Sequence, residues 1–194
     1  NPSPSYTAAA NGSSATDSKE NGEDTKTLPF TWFAAVDPNT NSVFDGWYKE
    51  EDASGTMYKA DASFSENIVV NDKSNPQKSQ TYYALFRKVI DAPAEVSWTK
   101  TTRTATTTFD VNLYKATNFK VKSCAHEEDG ITRVFSAEAT SITSDKATIT
   151  LSAGEDVVDG DVFNVVLTTD NGGDVTVPVK IVSKITVRFE LPKR

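Results

Sequence analysis

Short segments in which apolar and polar residues alternate recur through the second half of the chain. The clearest lie at residues 109–113, 147–151 and 163–167. Because successive side chains of a strand point to opposite faces, this alternation predicts strands with one buried face. The segment Asp170-Asn171-Gly172-Gly173-Asp174 predicts a hairpin turn, since Asn and Gly accept positive φ. With turn signals about every 8–12 residues and no helical period, the sequence predicts an all-β fold.

Residues 91–194 are predicted to form one module. The other strand-like segments are 96–98, 119–121, 131–137 and 175–182. Seven short strands are typical of an immunoglobulin-like β-sandwich, and the likeness to bacterial modules of this kind is one of pattern only. Pro178 predicts an edge or bulged strand, because proline cannot donate to a ladder. Residues 184–194 also alternate, and fit either the last strand of the sandwich or the first strand of a further module.

The first half of the chain has a different character, rich in aromatic residues. Phe44-Asp45-Gly46-Trp47-Tyr48 is followed downstream by Thr81-Tyr82-Tyr83-Ala84-Leu85-Phe86. This pair of segments resembles the Listeria–Bacteroides repeat, in its divergent internalin-type B-repeat form. The residues that carry the resemblance are Phe44, Gly46, Trp47, Tyr48, Tyr83, Ala84 and Phe86. It implies that residues 28–90 are a small extracellular β module, β-grasp-like or a β-meander, in a bacterial surface protein, from a family without common chemistry.

The same residues predict an aromatic core without reference to the family. Phe44 and Trp47 are three apart, so a regular strand would point them to opposite faces. A bulge at Gly46 would turn both inward. We therefore interpret these aromatic residues as core.

Residues 1–27 contain little that could be buried. Ser, Ala, Asn, Gly, Thr and charged residues dominate the segment. Such a composition does not offset the entropy of ordering, and predicts a tether. The segment has no initiator Met and no apolar leader core, and the chain stops abruptly at Lys193-Arg194. We expect both ends to be cuts from a larger processed protein with neighbouring β modules.

The charge is mildly acidic and evenly spread. The formal net charge is −7, and no segment is strongly basic. This argues against nucleic acid as a partner and against binding to an anionic membrane surface. The sequence also has no apolar stretch of about 18 residues, so we expect no membrane insertion. The single cysteine cannot form an internal disulfide and is compatible with export.

One short segment carries residue types that bind zinc. On an extended strand Cys124, His126 and Glu128 would point the same way. The chain has no second Cys or His to complete a structural site, and Cys124 is better interpreted as a small packed residue. As a nucleophile and base pair, Cys124 and His126 lie too close along one strand. The sequence therefore predicts no catalytic residue, no metal site and no cofactor.

Two acidic loops are weaker candidates for calcium. Asp37-x-Asn39-x-Asn41 begins like a calcium loop but has Ser42 at the sixth position in place of Gly. Glu155, Asp156, Asp159 and Asp161 surround Gly160 in one loop, and whether they bind calcium is left open. Both loops are also explained as solvated turns.

Three functions compete. The first, which the sequence favours, is a non-catalytic cell-surface or secreted module that acts as spacer, stalk or adhesion segment and presents loops to a protein or glycan. The second is a carbohydrate-binding accessory module whose exposed aromatic residues, among Trp32, Tyr48, Tyr58 and Tyr82, stack on sugar rings. The third is a hydrolase fragment, which would need a carboxylate pair in a cleft. No binding residue is assigned.

Overall fold

The computed structural model describes residues 9–12, 16–20, 23–35, 40–70 and 81–183. The regular elements in these ranges are all strands, with no helix among them, so the all-β prediction is confirmed. The chain forms two compact units, one of Asn1–Asp37 with Ser42–Arg87 and the other of Pro38–Asn41 with Lys88–Arg194. The chain passes from the first unit to the second between Arg87 and Lys88, whereas the sequence predicted this boundary after residue 90. Val89 and Ile90 are buried and belong to the second unit.

The first unit contains β1 Ala9–Gly12, β2 Thr16–Glu20, β3 Glu23–Phe33, β4 Ser42–Tyr48, β5 Ser63–Val70 and most of β6 Tyr83–Lys88. Strand β3 is central to one sheet. Strand β5 pairs with it antiparallel over residues 26–33. On the opposite edge of β3, β1 pairs with residues 30–33 and β2 with residues 23–27. Strands β4 and β6 form a separate two-stranded sheet.

This pairing differs from two expectations. A meander pairs each strand with the next one along the chain. Here β3 pairs with β5 and β4 pairs with β6. The described part of residues 1–27 lies in strands, whereas composition predicted a tether. The physical reason is that backbone hydrogen bonds to the edge of β3 do not require apolar side chains, so composition misses them.

The second unit continues with β7 Ile90–Asp91, β8 Val96–Lys100, β9 Ala105–Leu113, β10 Lys120–His126, β11 Phe135–Ile142, β12 Lys146–Ala153, β13 Val162–Thr169 and β14 Gly172–Ser183. One sheet has the order β10-β13-β14-β8 and the other β11-β12-β9-β7. All pairings in them are antiparallel except that of β14 with β8, which is parallel.

Side chains from the two sheets meet in a shared core. Phe135 of β11 stacks on Phe163 of β13 with ring centroids 3.9 Å apart, and lies 6.2 Å from Trp98 of β8. Along β9, β12 and β13 the buried residues are the alternate ones that the sequence predicted, including Phe109, Ile149 and Val165. The predicted alternation is therefore confirmed in these three strands.

Two predictions about strands need correction. Pro178 does not mark an edge strand, because β14 lies between β13 and β8. It is tolerated there because the β14–β8 ladder starts one residue later, at Val179 opposite Val96. The predicted strand at 131–137 begins only at Phe135. Val134 instead bonds to the neighbouring loop, its N–H to Asp156 and its C=O to the N–H of Gly154.

Candidate functional site

Several of the residues that carry the family resemblance belong to the aromatic core of the first unit. Trp47 is fully buried, and its ring lies 5.7 Å from Phe44 and 5.4 Å from Phe64. Its Nε1–H donates to the carbonyl of Asp61 at 3.1 Å. Phe44 also contacts Phe86 of β6 at 5.7 Å. The sequence prediction that Phe44 and Trp47 both point into one aromatic core is confirmed.

Gly46 makes this arrangement possible. Its φ of +139° is a conformation that residues with a side chain rarely adopt. A Cβ at this position would also lie 2.9 Å from two carbons of the Met57 side chain. The backbone conformation therefore favours glycine at this position, whereas the exposed Met57 side chain could shift to make room.

The remaining motif residues have more varied settings. Tyr48 is 8% exposed, Ala84 packs against the aromatic core, and Tyr83 is half-buried. Sequence reasoning missed the neighbouring Asp45, which is buried and forms an ion pair with Arg87. These two residues lie on the paired strands β4 and β6, and their opposite charges were the signal that could have been used.

The aromatic residues proposed as a sugar platform do not share an exposed face. Trp32 and Tyr48 are both 8% exposed. Tyr58 and Tyr82 stack on each other, with ring centroids 5.1 Å apart and planes 21° apart. Their hydroxyl groups both donate to the carboxylate of Glu66. The faces that would stack on a sugar ring are largely occupied within the protein.

The Cys124 and His126 pair is engaged within the second unit. Burial raises the pKa of the Cys124 thiol to about 11, so the thiol stays protonated near neutral pH. The backbone N–H of Glu128 donates to His126 Nδ1 at 3.1 Å. His126 Nε2 lies 3.3 Å from Asp161 Oδ1, within hydrogen-bond distance. Both ring nitrogens of His126 therefore have partners in the fold.

Asp161 connects its own loop, residues 154–161, with the loop of residues 127–134 and with His126 of β10. Its side chain is 8% exposed, and Oδ2 accepts the N–H of Val158 at 2.8 Å. Arg133 Nε lies 3.3 Å from the same oxygen, close enough for an ion pair although its N–H is not aimed for a hydrogen bond. A buried carboxylate is stable only when it is paired and hydrogen-bonded, and here residues from both loops and from β10 supply the partners.

Two further contacts hold the same loops. Asp156 accepts the N–H of Val134 with both carboxylate oxygens, at 3.1 and 2.9 Å. Lys100 donates from Nζ to the carbonyls of Gly154 at 2.5 Å and Val157 at 2.8 Å. The ammonium group thus satisfies two loop carbonyls, which are groups that a calcium ion would otherwise bind.

The loops held in this way expose apolar side chains. Val134 is 70% exposed, Val158 is 49% exposed and Ile131 is 37% exposed. We call residues 127–134 and 154–161 the clamped loop surface. Beside it lies a shallow pocket of about 360 Å³, lined by Lys100, Thr101, Thr102, Arg103, Val157, Val158, Asp159 and Ile181.

The carboxylates of the predicted calcium loop point to separate partners. Glu155 lies 3.8 Å from Arg103, Asp156 binds the Val134 N–H, and Asp161 binds as described above. In the described ranges no three His, Cys, Asp or Glu side chains are grouped to hold a metal ion. For the other candidate loop, Asn41 bonds instead to the backbone of Ile90 through both ends of its amide, and Asp37 and Asn39 lie outside the described residues.

Comparison with known proteins adds no family. No family model matches the chain, and no curated protein matches its sequence. Across the described residues, the structure contains no helix with the length and apolar character needed to cross a membrane.

Proposed function

We propose that this chain is a non-catalytic extracellular module of a bacterial surface protein, and that it acts as an adhesion segment presenting the clamped loop surface to a protein partner. The observation that carries the proposal is the combination of fixed loop backbones with exposed Val134 and Val158. A binding loop loses little entropy on association when polar contacts have already fixed its conformation. Loops carried on a rigid sandwich are a common site of recognition.

The strand order of the second unit supports an immunoglobulin-like assignment for it. Strand β8, which pairs parallel with β14, is set aside as an extra strand. With the other strands lettered in chain order, β7, β9, β12 and β11 correspond to the A, B, E and D strands of one sheet. Strands β10, β13 and β14 correspond to C, F and G of the other. In this scheme the clamped loop surface consists of the C–D and E–F loops. The B-repeat assignment of the first unit rests on the motif around Gly46 and Trp47.

A binding role is proposed in preference to catalysis because the reactive side chains are bonded or buried within the fold. His126 and Asp161 bond to each other and to the backbone, and Cys124 is held as a thiol. Among the described residues three carboxylates have a shifted pKa. Hydrogen bonds lower the pKa in each, from Ser54 to Asp52, from Lys146 to Asp110 and from Lys122 to Asp174. A general acid needs the opposite shift. A glycan ligand remains the alternative, without a stacked aromatic face to favour it.

The test is binding to a panel of extracellular matrix proteins and a glycan array, with three versions of the chain. The double variant Val134→Asp with Val158→Asp places charges on the clamped loop surface. Because both side chains are exposed and only their backbone groups bond to the loops, the double variant should fold normally. Ile142→Asp is the matched control, since Ile142 is 52% exposed at the far end of β11, about 25 Å from Val134 along the strand.

The expected result is binding to a protein, weakened at least about tenfold in the double variant and unchanged in Ile142→Asp. Binding only to glycans would favour the alternative function. Equal binding by the double variant would contradict the assignment of these loops as the site. Labelling of intact source cells with antibody against the chain would test the surface location separately.

A further inference from the structure

Two tyrosines in the first unit are arranged for a covalent reaction with each other. The rings of Tyr58 and Tyr82 are nearly parallel, 21° apart, with centroids 5.1 Å apart. Both hydroxyl groups donate to one carboxylate, Tyr58 to Oε1 of Glu66 and Tyr82 to Oε2. Since the rings stack and both hydroxyls reach one carboxylate, the ring edges that bear the hydroxyls lie on the same side of the pair.

The surroundings favour loss of an electron together with a proton. Burial and the Glu66 carboxylate raise the pKa of Tyr82 to about 12. The Glu66 carboxylate already accepts the hydrogen bond of Tyr82 at 2.5 Å and is placed to accept its proton. Tyr58 also carries two cations near its ring, Lys49 and Lys59, with Nζ 4.5 and 5.3 Å from its centroid. These charges work against loss of an electron unless the proton leaves with it.

We propose that Tyr58 and Tyr82 form an oxidative cross-linking site, at which a haem peroxidase with hydrogen peroxide joins the two rings as dityrosine. Each phenol gives one electron to the oxidant and one proton to Glu66, which passes it to water. The two radicals then form one carbon–carbon bond between ring positions ortho to the hydroxyls. The hydrogens at those carbons move to the oxygens and restore both phenols. One peroxide takes up the two electrons and two protons and becomes two waters.

Such a bond would act as a covalent staple within the first unit. The chain has one cysteine, so an internal disulfide is not open to it. A bond between residues 58 and 82 closes a loop that contains strand β5. By restricting the unfolded chain, a closed loop of this size should raise the Tm of the first unit by at least about 5 °C.

The experiment treats the purified chain with horseradish peroxidase and hydrogen peroxide at low protein concentration, in buffer and in concentrated urea. Intact mass, dityrosine fluorescence and peptide mapping follow the product. Tyr58→Phe and Tyr82→Phe remove one phenol each and keep the ring. Tyr83→Phe is the matched control, because Tyr83 is also half-buried and is adjacent to Tyr82 in sequence.

The expected product in buffer is a monomer lighter by two hydrogen atoms, with the cross-link mapped to residues 58 and 82. Tyr58→Phe and Tyr82→Phe should lose it, whereas Tyr83→Phe should keep it. Glu66→Gln keeps an acceptor oxygen but cannot take the proton, and should slow the reaction at least about tenfold. A cross-link mapped to other tyrosines, no monomeric product, or equal formation in urea would overturn the proposal, even if a Phe variant failed to fold.

Discussion

Trp47→Ala should remove most of the stability of the first unit. The Trp47 side chain is fully buried among Phe44 and Phe64. A buried tryptophan removes on the order of 200 Å² from water, worth about 5 kcal/mol at 25 cal/mol per Å². The alanine keeps only the Cβ and leaves a cavity, so we expect a loss of about 3–5 kcal/mol. A unit of roughly 80 residues has a total free energy of unfolding of about 4–12 kcal/mol.

The assay is differential scanning calorimetry with tryptophan fluorescence. The chain has three tryptophans, of which Trp32 and Trp47 belong to the first unit and Trp98 to the second. The variant should show the first transition displaced downward by at least about 12 °C or already lost at 25 °C, with the Trp98 transition unchanged. Phe33→Ala is the control, because Phe33 is 36% exposed in the same unit and should cost less than about 1.5 kcal/mol. An unchanged first transition in Trp47→Ala would show that burial of Trp47 does not stabilise the first unit.

Two further predictions follow from the described contacts. Cys124 is the only cysteine, and burial raises its pKa to about 11. Its alkylation by iodoacetamide should therefore be slow at pH 8, become about tenfold faster per pH unit towards 11, and be fast in urea. Fast alkylation of the folded chain at pH 8 would contradict the burial of the thiol. Deleting residues 1–22 removes the strands paired with one edge of β3, so the first transition should fall by several degrees, whereas the tether interpretation predicts no change.

The sequence predicted what depends on local periodicity. Alternation at Phe109, Ile149 and Phe163 specified buried strand faces, because the period of two is a property of the backbone. The aromatic core around Trp47 was predicted from the local spacing of Phe44, Gly46 and Trp47. Strand pairing at residues 9–12 and 16–20 was missed, since edge pairing through the backbone leaves no apolar signal.

The clamped loop surface could not be predicted, because its contacts are distant in sequence. Asp161 meets His126 across 35 residues, and Lys100 reaches the carbonyl of Val157 across 57 residues. Periodicity contains no information about such pairs. The sequence identified the acidic loop and the single histidine as unusual, but it assigned them as candidate ligands of two different metals, and in the structure they hold each other.

Amide hydrogen exchange at Val134 and Val158, measured by NMR on the wild type and on Asp156→Ala, tests most directly whether the loops are fixed. We expect slow exchange at both amides in the wild type, although both side chains are exposed. The reason is that the Val134 N–H donates to Asp156 and the Val158 N–H donates to Asp161. In Asp156→Ala, only Val134 should exchange faster, while Val158 keeps its bond to Asp161. Exchange of both amides at the rate of an unstructured peptide in the wild type would contradict the account, as would a variant in which neither rate changes.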